Sequence, residues 1–587
     1  MHRILFLLAL SAVAAFGADV VSDFALVDHK GAFRQLYYYA KDPQTKAIVL
    51  FVQGNGCPLV RKRLPEVKRL RETYAPKGVL FWMINANGQD SRAEVVKEAA
   101  EFGIDMPILM DEGQLVAAGL NVKRTAEAIV VEPNTWRIRY RGAIDDRLSY
   151  ETEKPKAEHE YLKDALDALL AGQPIKTEVT SAPGCVISYA KAVTPSYSET
   201  IAPMLKANCV GCHTRGGIGP FAMSNYERIH GWTDTIREVL LTRRMPPWQA
   251  DPHVGKFRND FSISAEQTRA LVQWIDAGAP RGQGADPLEG YQPELPEWKL
   301  GKPDYVVEIP EQSVPAEGIF DYRYVSIDVP NTEDVWLRAT EIIPGNRRVL
   351  HHIIATTIMP GENRQRDGKS LTGYAPGMGP DLLPQGTGRL LKGGAKIVFQ
   401  LHYTASGKAE KDRSRLGLYL AKEQPAHELR SNVLIDYRFQ IPPGEREFLT
   451  SKSRKFDKDA LLYTMNPHMH LRGKWMRYTA RYPDGTQEVL LNVPNYRFDW
   501  QRNYELAEPK LVPKGTEIVV EAAWDNSPLN LNNPDATKTV GWGDQTFNEM
   551  FFASYRYVYP DAKPPVARVA AASSETKVAA RDSSGGQ

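Results

Sequence analysis

The sequence has no excess of charge of either sign. Its 73 Lys and Arg residues nearly balance its 71 Asp and Glu residues, and the formal net charge is +2. This balance gives no support to the binding of nucleic acid or of an anionic membrane surface. The chain also lacks any run of about 20 apolar residues beyond its N-terminal segment, so we expect no membrane span in the mature chain.

Cysteine is scarce, and the last of the four cysteines is Cys212. The part of the chain that follows Cys212 is therefore expected to hold together by packing alone, without disulfides. The first cysteine, Cys57, lacks the partner of a C-x-x-C pair because Val60 stands at the second position. The absence of that pair disfavours a full thiol–disulfide cycle within the domain that carries Cys57.

The ends of the chain carry separate signals. Residues 1–17, MHRILFLLALSAVAAFG, combine a basic start, an apolar run and small residues, which predicts a cleavable signal peptide and a periplasmic or secreted protein. No cysteine stands at the cleavage site, which argues against a lipoprotein. The segment 563–587 is rich in Ala, Ser, Lys and Gly and is predicted to be a disordered tail. The length between these ends predicts three or four domains.

Histidines are concentrated in three short apolar segments of the second half. His351 and His352 lie in RVLHHIIATTI, His402 lies in KIVFQLHYT, and His468 and His470 lie in LLYTMNPHMHLRG. The three segments are rich in Val, Ile, Leu and Tyr, which predicts β-strands. On a strand, His468 and His470 face the same side, whereas His351 and His352 need a bulge or a strand end to share an ion.

A single histidine on an apolar strand is more often a hydrogen-bonded core residue than a ligand, but five in this grouping favour a metal site. Imidazole suits copper, zinc, iron or nickel, and the spacing does not choose among them. A thioether ligand would favour copper, and Met550 in WGDQTFNEMFFASY is the candidate, with core packing as the alternative.

The order HH, H, HxH and a Met within an EM pair resembles the copper type II ascorbate-dependent monooxygenases, the family of peptidylglycine α-hydroxylating and dopamine β-monooxygenases. The resemblance covers roughly residues 300–560. It implies two copper ions and two β-sandwiches of the jelly-roll type, at 305–425 and 430–562, with a solvent-filled cleft between them. His351, His352 and His402 would hold the electron-transfer copper. His468, His470 and Met550 would hold the copper that binds dioxygen and hydroxylates, and these three are the candidate catalytic residues.

Residues 18–180 begin with the order strand, cysteine turn, helix, strand: AIVLFVQ, GNGCPLV, RKRLPEVKRLRETYA and GVLFWMINA. This order resembles the thioredoxin-like redoxin and peroxiredoxin group, which implies an α/β fold. A helix N-terminus at Cys57 would lower its thiol pKa. The proline that usually precedes the late strand is replaced by Ala126 in RTAEAIVV. Cys185 is the remaining candidate redox partner of Cys57, and a domain retained only as a scaffold is the alternative.

Residues 190–280 contain Cys209-Val210-Gly211-Cys212-His213, the C-x-x-C-H attachment signature of a covalently bound haem c. Two thiols would form thioethers and His213 would ligate the iron, while a zinc half-site is the alternative. An amphipathic helix precedes the motif, and SAEQTRALVQWIDAGAP opens with a capping box from Ser264 to Gln267. The RRMPPW run resembles that of small bacterial cytochromes c, which implies an all-α domain with Met245 as the distal ligand, rather than Met223 or His230.

Residues 281–304 are rich in Pro, Gly and Glu and are predicted to be a linker. Taken together, the parts predict an exported copper monooxygenase that hydroxylates an organic substrate with dioxygen and receives electrons through its own haem. Ascorbate or a periplasmic donor would reduce the haem. The alternatives are an electron-transfer or copper-handling protein and a purely structural binding module. Nothing in the sequence selects the substrate, although Trp524, Asn526 and Trp542 are candidates to line its cleft.

Overall fold

A computed structural model of the chain describes residues 20–149, 152–191, 193–364, 368–570 and 577–579. The predicted signal peptide at 1–17 lies outside the described residues. The chain divides into two compact units. The first comprises Met1–Pro195, Thr233–Arg244 and Ser264–Pro280, and the second comprises Ser196–Trp232, Met245–Ile263 and Arg281–Gln587.

The first unit is built on a mixed β-sheet. Its strands are β1 (Ala25–Val27), β2 (Phe33–Gln35), β3 (Ala47–Gln53), β4 (Val79–Asn85), β5 (Ile108–Met110), β6 (Ala128–Glu132) and β7 (Arg137–Gly142). The N-terminal part of this unit contains the helices α1 (Pro58–Tyr74), α2 (Arg92–Glu101), α3 (Leu115–Gly119) and α4 (Tyr161–Leu170), with short 3-10 turns at Leu36–Lys41 and Ala75–Lys77. Strands β1 and β2 form a separate antiparallel pair.

The order of strands in the main sheet is β5-β4-β3-β6-β7. Strand β3 pairs in parallel with β4 and antiparallel with β6. Every residue of β3 is buried, and its alternate residues join two different apolar clusters, one with α1, α2 and α4 and the other with α3. Helices therefore cover both faces of the sheet, which makes this an N-terminal domain of thioredoxin-like fold.

The segment that was predicted to carry the haem is helical but is divided between the two units. A π-helical turn at Tyr197–Ile201 leads into α5 (Ala202–Asn208), and α6 (Tyr226–His230), α7 (Thr233–Leu241) and α8 (Ala265–Asp276) follow. Helix α8 opens with the predicted capping box between Ser264 and Gln267. Helices α7 and α8 belong to the first unit, whereas the residues of the C-x-x-C-H motif belong to the second.

The first β-region of the second unit starts at Tyr305. Its strands are β8 (Tyr305–Glu308), β9 (Gln312–Val314), β10 (Arg323–Asp328), β11 (Val335–Ile343), β12 (Leu350–Ile358), β13 (Lys369–Tyr374), β14 (Asp381–Leu382), β15 (Thr387–Leu391), β16 (Lys396–Tyr403), β17 (Glu410–Asp412), β18 (Arg415–Leu420) and β19 (His427–Glu428). Two main sheets, β10-β16-β12-β13 and one built around β15-β11-β18-β8, enclose a shared apolar core.

The second β-region runs from Arg430 to Val558. Its strands are β20 (Arg430–Asp436), β21 (Gln440–Ile441), β22 (Phe448–Lys455), β23 (Ala460–His468), β24 (Gly473–Arg481), β25 (Gln487–Val493), β26 (Tyr504–Val512), β27 (Glu517–Trp524), β28 (Val540–Gly541) and β29 (Phe551–Val558). The sheets β20-β29-β23-β26 and β22-β27-β24-β25 share one core. The C-terminal part of the chain is thus a large all-β region of many strands.

The predicted linker at 281–304 is not free over its whole length. Its end is fixed to the first β-region because Lys299 donates its backbone N–H to Glu341 (2.9 Å) and Gly301 accepts from the Tyr419 hydroxyl (2.9 Å). Gly417 leaves room for the Trp298 ring, since a Cβ at that position would lie 2.7 Å from it. The composition of residues 281–304 did not indicate that the last of them pack against the first β-region.

The prediction of a disordered tail at 563–587 is wrong for two stretches. Arg568 exchanges backbone hydrogen bonds with Asp334 and Trp336, at 2.9 and 3.0 Å, and Ala570 donates to Ala421 at 2.8 Å. Strand β30 (Lys577–Ala579) pairs in parallel with β8. Unsatisfied strand edges of the first β-region bind these stretches, which an Ala- and Ser-rich composition does not reveal. The remaining tail residues after 570 lie outside the described part of the chain.

Residues 245–263, which we call the docking segment, lie against the second β-region. Trp248 is part of the core of that region, with its ring 4.8 Å from that of Tyr504. Phe257 forms a bridge with Leu506 of β26, which is an edge strand. The docking segment therefore covers the edge of β26 by backbone pairing.

None of the helices in the described ranges combines the length and the apolar character that a membrane span requires.

Candidate metal, haem and thiol sites

His351, His352 and His402 come together at one end of the first β-region. Strands β12 and β16 are neighbours, and His352 and His402 are direct partners in their ladder. The register shifts between Leu350 and His352, which is the irregularity that adjacent histidines need to turn to one side. One ligand atom from each of the three side chains lies within 4.8 Å of the others. The structure thus brings together the whole predicted first ligand set.

These three imidazoles suit a metal ion because they are held neutral and their Nδ1 atoms are available. Burial lowers the pKa of His402 to about 4 and that of His351 below its usual value, and it holds the pKa of His352 well below its usual range. The Nδ1 atoms of His351 and His352 lie 3.2 Å apart. The Nδ1 of His402 is buried and has no hydrogen-bond partner. An orphaned ring nitrogen facing two others fits an imidazole-ligated ion.

His468 and His470 form the second histidine group, with ring centroids 5.3 Å apart. Strand β23 ends at His468, so the expectation that both lie on one regular strand is wrong, although the side chains still converge. His468 Nδ1 donates to Gln501 Oε1 (2.8 Å), and His470 Nδ1 donates to the Asn548 carbonyl (3.2 Å). These bonds fix the tautomer and leave both Nε2 atoms free for a metal.

The carboxylate of Glu549 fixes the turn that carries His470. It accepts from the backbone N–H of His470 (2.8 Å) and Arg472 (2.6 Å) and from Trp524 Nε1 (2.9 Å). Glu549 is fully buried, and burial raises its pKa to about 7. Its neighbour Met550 is buried just before β29. Its backbone N–H lies 3.3 Å from the Glu549 carboxylate, and its role as a metal ligand stays a prediction.

Phe498 contacts both histidine groups. Its ring stacks on His351 with centroids 4.9 Å apart and lies 5.6 Å from the ring of His470. Phe498 therefore contacts one histidine of each group, where the family resemblance implied a solvent-filled cleft. The sequence offered no signal for Phe498 or Gln501, because both lie in a loop far along the chain from His351.

The three residues proposed to line a substrate cleft have other roles. Trp524 and Asn526 are fully buried. Trp524 donates to Glu549, and Asn526 donates to the carbonyls of Pro442 and Lys538. Trp542 packs edge-on against Tyr437 at 4.6 Å. Trp524 and Asn526 belong to the buried structure that supports the second histidine group. The prediction that they line a cleft is wrong. Instead, Tyr322 lies beside the first group, 4.7 Å from the ring of His402.

The C-x-x-C-H motif follows α5, and its groups suit a covalently attached haem. The Cys209 and Cys212 thiols are free, and burial raises the pKa of Cys209 to about 12. His213 Nδ1 donates to the Phe221 carbonyl (3.1 Å), which leaves Nε2 available for iron. A cavity of about 270 Å³ adjoins His213. Two thiols, an oriented imidazole and an adjoining cavity together fit the group that the motif predicts.

The distal ligand remains a prediction, in which Met245 is preferred to Met223 and His230. Met223 is buried and lines the cavity beside His213, to whose carbonyl it donates its backbone N–H (2.9 Å). Met245, the predicted ligand, is half-buried at the start of the docking segment and does not line this cavity. His230 ends the short helix α6.

Cys57 and Cys185 meet in the first unit, with their sulfur atoms 3.0 Å apart. Cys57 caps the N-terminus of α1, and its sulfur contacts the Thr125 hydroxyl at 3.2 Å. Thr125 also donates its backbone N–H to the Cys185 carbonyl (2.9 Å). Gly184 permits this approach, since a Cβ there would lie 1.8 Å from the Thr125 carbonyl oxygen.

The replacement of proline by Ala126 has a physical reason. Ala126 has φ of 56°, in the left-handed region, whereas a proline ring fixes φ near −65°. The loop that presents Thr125 to both sulfurs therefore excludes proline at this position.

The two thiols differ in acidity. Burial by itself would raise the pKa of Cys57, but hydrogen bonds with Cys185 and Thr125 outweigh it and lower that pKa below the usual thiol value. Burial, followed by the bond with Cys57, raises the pKa of Cys185. Cys57 is thus the thiol of the pair with the lower pKa.

We expect the alkylation rate of Cys57 to rise with pH through a midpoint below the usual thiol value, and that of Cys185 through one above it. The thiolate is the reacting form, so a lowered pKa moves the profile to lower pH. Burial slows the reaction at every pH without moving the midpoint. Thr125→Val should shift the Cys57 midpoint upwards, and Thr180→Val serves as the control. Mass spectrometry of iodoacetamide-treated protein measures both sites, and equal midpoints would contradict the assignment.

Comparisons with known proteins concern this first unit. Residues 18–147 match the model of the AhpC/TSA family. An uncharacterized conserved protein from Geobacillus kaustophilus is 31% identical, with a TM-score of 0.26, over 30% of this chain and 92% of that chain. A hypothetical protein, SMc02350, from Sinorhizobium meliloti 1021 is 24% identical, with a TM-score of 0.25, over 29% of this chain and 93% of that one.

A putative thiol:disulfide interchange protein DsbE from Chlorobium tepidum is 16% identical, with a TM-score of 0.21, over 26% of this chain and 96% of its own. The family match falls on the β3–α1 unit with Cys57 at its turn and ends after β7. Residues 18–147 of the chain are therefore an AhpC/TSA-family redoxin domain with a thioredoxin-like fold.

Proposed function

We propose that the chain is an exported copper-dependent monooxygenase that hydroxylates an organic substrate with dioxygen. Electrons are supplied through a haem c bound to the same chain. The observation that carries the proposal is the pair of histidine groups in the second unit, each neutral, buried and oriented for a metal. The first group converges within 4.8 Å, and the second has both Nε2 atoms left free by hydrogen bonds at Nδ1.

Each group has a separate role in this proposal. Bound copper supplies one-electron redox chemistry and dioxygen activation. His351, His352 and His402 would hold an ion for electron storage and transfer. His468 and His470, with the Met550 thioether, would hold an ion for dioxygen chemistry next to the substrate. Glu549 holds the His470 turn and the backbone of Met550 in place through its hydrogen bonds.

The stoichiometry of the hydroxylation gives a reason for a haem on the same chain. Hydroxylation of a C–H bond by dioxygen consumes two electrons and two protons beyond those of the substrate, and yields the alcohol and water. Cys209, Cys212 and His213 would hold a haem, which would supply electrons one at a time from ascorbate or a periplasmic donor.

A second candidate function is electron transfer or copper handling without oxygenation. It is favoured by the burial of His352, His402 and His470 and by the Phe498 ring, which contacts a histidine of each group. A closed arrangement of this kind would keep bulky molecules away from copper, as an electron-transfer or copper-handling protein requires. The two candidates differ in whether dioxygen consumption responds to an organic substrate.

We expect copper-loaded protein, with ascorbate as reductant, to consume dioxygen faster when a suitable peptide or phenethylamine-like substrate is added. His470→Ala should reduce that substrate-dependent rate at least about tenfold, since it removes a ligand of the hydroxylating site. His159→Ala, an exposed histidine of the first unit, is the matched control and should leave the rate unchanged. An oxygen electrode with product analysis by mass spectrometry gives the readout. Haem oxidation by copper without any substrate-dependent consumption would establish the second candidate.

A further inference from the structure

Residues 184–187, which we call the cysteine segment, pair with the loop at 123–125 in the first unit. The backbone N–H of Thr125 donates to the Cys185 carbonyl at 2.9 Å, and the backbone N–H of Ile187 donates back to the loop at 3.0 Å. An antiparallel bridge lies between these two bonds. The backbone edge of the loop is therefore already used by the chain itself. An extended peptide of another protein would pair with this edge only after displacing the cysteine segment.

The chain on either side of the cysteine segment is also fixed to the first unit. Before it, Arg141 of β7 donates its backbone N–H to Glu178 (2.9 Å) and accepts from that of Thr180 (3.0 Å). After it, the Tyr189 hydroxyl donates to the Val122 carbonyl (2.8 Å). These contacts hold the cysteine segment in place over the loop, so they oppose its displacement by a protein partner.

The two cysteines of the pair differ in their access to solvent. Cys57 is 5% exposed, whereas Cys185 is half-buried and its neighbour Val186 is 63% exposed. The turn before Cys57 is tied down as well, because Gly56 donates its backbone N–H to the Glu98 carboxylate (2.6 Å). A molecule from solvent therefore reaches Cys185 more easily than Cys57.

The geometry of the pair suits the making and breaking of a disulfide. The sulfur atoms of Cys57 and Cys185 lie 3.0 Å apart, so a shift of about 1 Å brings them to bonding distance. The Thr125 hydroxyl accepts the Cys185 N–H (2.9 Å), which leaves its own proton available to the Cys57 sulfur at 3.2 Å. Cys57 has the lower pKa of the two thiols, and the sulfur of lower pKa is the better leaving group.

We propose that the first unit exchanges disulfides with low-molecular-weight thiols, and that Cys185, not the helix-capping Cys57, forms the mixed disulfide. The inference does not depend on the proposed function. A small thiolate attacks the Cys185 sulfur of a Cys57–Cys185 disulfide. The new S–S bond forms at Cys185, the bond to Cys57 breaks, and the electron pair leaves on the Cys57 sulfur beside the Thr125 hydroxyl.

A second small thiolate completes the exchange. It attacks the small-molecule sulfur of the mixed disulfide and releases Cys185. The two protons of the small thiols pass through solvent to Cys57 and Cys185. One protein disulfide and two small thiols thus become one protein dithiol and one small disulfide, and the reverse sequence oxidises the pair.

The alternative is attack at Cys57, which caps the N-terminus of α1. A helix N-terminus stabilises a thiolate, and in an accessible cysteine this favours a nucleophile. The same stabilisation acts on Cys57 when it leaves as a thiolate. The enclosure of Cys57 therefore decides between the two directions in favour of Cys185.

The test uses the full-length protein and glutathione disulfide as the probe. In Cys57→Ser, Cys185 should form a mixed disulfide with glutathione and release one reduced glutathione. In Cys185→Ser, Cys57 should react at least about tenfold more slowly, because access limits the reaction of a thiol with a disulfide. Mass spectrometry of the digested protein assigns each site and separates the pair from the cysteines of the C-x-x-C-H motif. Equal rates, or a faster reaction at Cys57, would overturn the assignment.

The wild-type protein gives a second readout that needs no cysteine substitution. The oxidised protein is mixed with reduced glutathione, quenched with acid and treated with N-ethylmaleimide. Glutathione should be found on Cys185 and maleimide on Cys57, and the opposite distribution would overturn the proposal. Thr125→Val should slow this reduction roughly tenfold, since the leaving thiolate loses a hydrogen bond, and Thr125→Ser should restore it. Thr73→Val, on the exposed face of α1, is the matched control.

Insulin tests the restriction to small thiols. The protein, kept reduced by glutathione, should not accelerate precipitation of the insulin B chain beyond the rate with glutathione alone. The expected result follows from the paired edge of the loop at 123–125, which the cysteine segment occupies. Acceleration would show that the site admits a protein disulfide and would overturn the proposed substrate class.

Discussion

Replacing His402 by alanine should reduce the copper content from about two ions per chain to about one, because each histidine group is a separate ligand set. His402 supplies the buried, unpartnered Nδ1 of the first group, and its ladder partner is His352. Two imidazoles remain after the substitution, which is too few to retain the ion through purification. Electron delivery for the second half of each turnover then fails, and substrate-dependent dioxygen consumption falls at least about tenfold.

The matched control is His427→Ala, which removes a histidine of β19 that belongs to neither group. It should leave both ions in place. Metal analysis and the cupric resonance spectrum measure the outcome, and the spectrum of the remaining ion should be that of the His468/His470 site. Loss of both ions in His402→Ala would mean that the five histidines form one indivisible site. Zinc alone in the wild type would contradict copper.

The grouping of the histidines could be predicted because its signal is local. An adjacent pair on an apolar strand requires a bulge, and the register shift between Leu350 and His352 provides it. His402 lies opposite His352 because apolar strands of this kind pair in antiparallel sheets. The two β-regions could be predicted for the same reason, since short strands with turns between them identify all-β architecture.

The residues that connect the sites could not be predicted, since they are brought together only by the folded chain. Gln501 is an ordinary polar residue in a loop, and its importance comes from a hydrogen bond to a histidine on a different strand. Trp524 and Asn526 are both fully buried. Trp524 bonds to Glu549, and Asn526 bonds to the carbonyls of Pro442 and Lys538, which are partners that only the folded chain reveals.

The position of the docking segment also could not be predicted from the sequence. Its residues were expected within a self-contained haem domain, linked to the copper region by a flexible tether. Instead, Phe257 bridges to β26 and Trp248 enters the core of the second β-region. A haem held by residues anchored in this way would have a fixed distance to a metal at the histidine groups.

The most direct test of the central claim is the reoxidation of the haem when dioxygen is added to fully reduced, copper-loaded protein. We expect a first-order rate that is independent of protein concentration, because donor and acceptor belong to one chain. Removal of copper by a chelator should abolish the fast phase while the haem spectrum stays intact, and His470→Ala should do the same. Stopped-flow absorbance of the haem records the rate. Equal rates with and without copper, or a rate proportional to protein concentration, would contradict an oxygenase that draws electrons from its own haem.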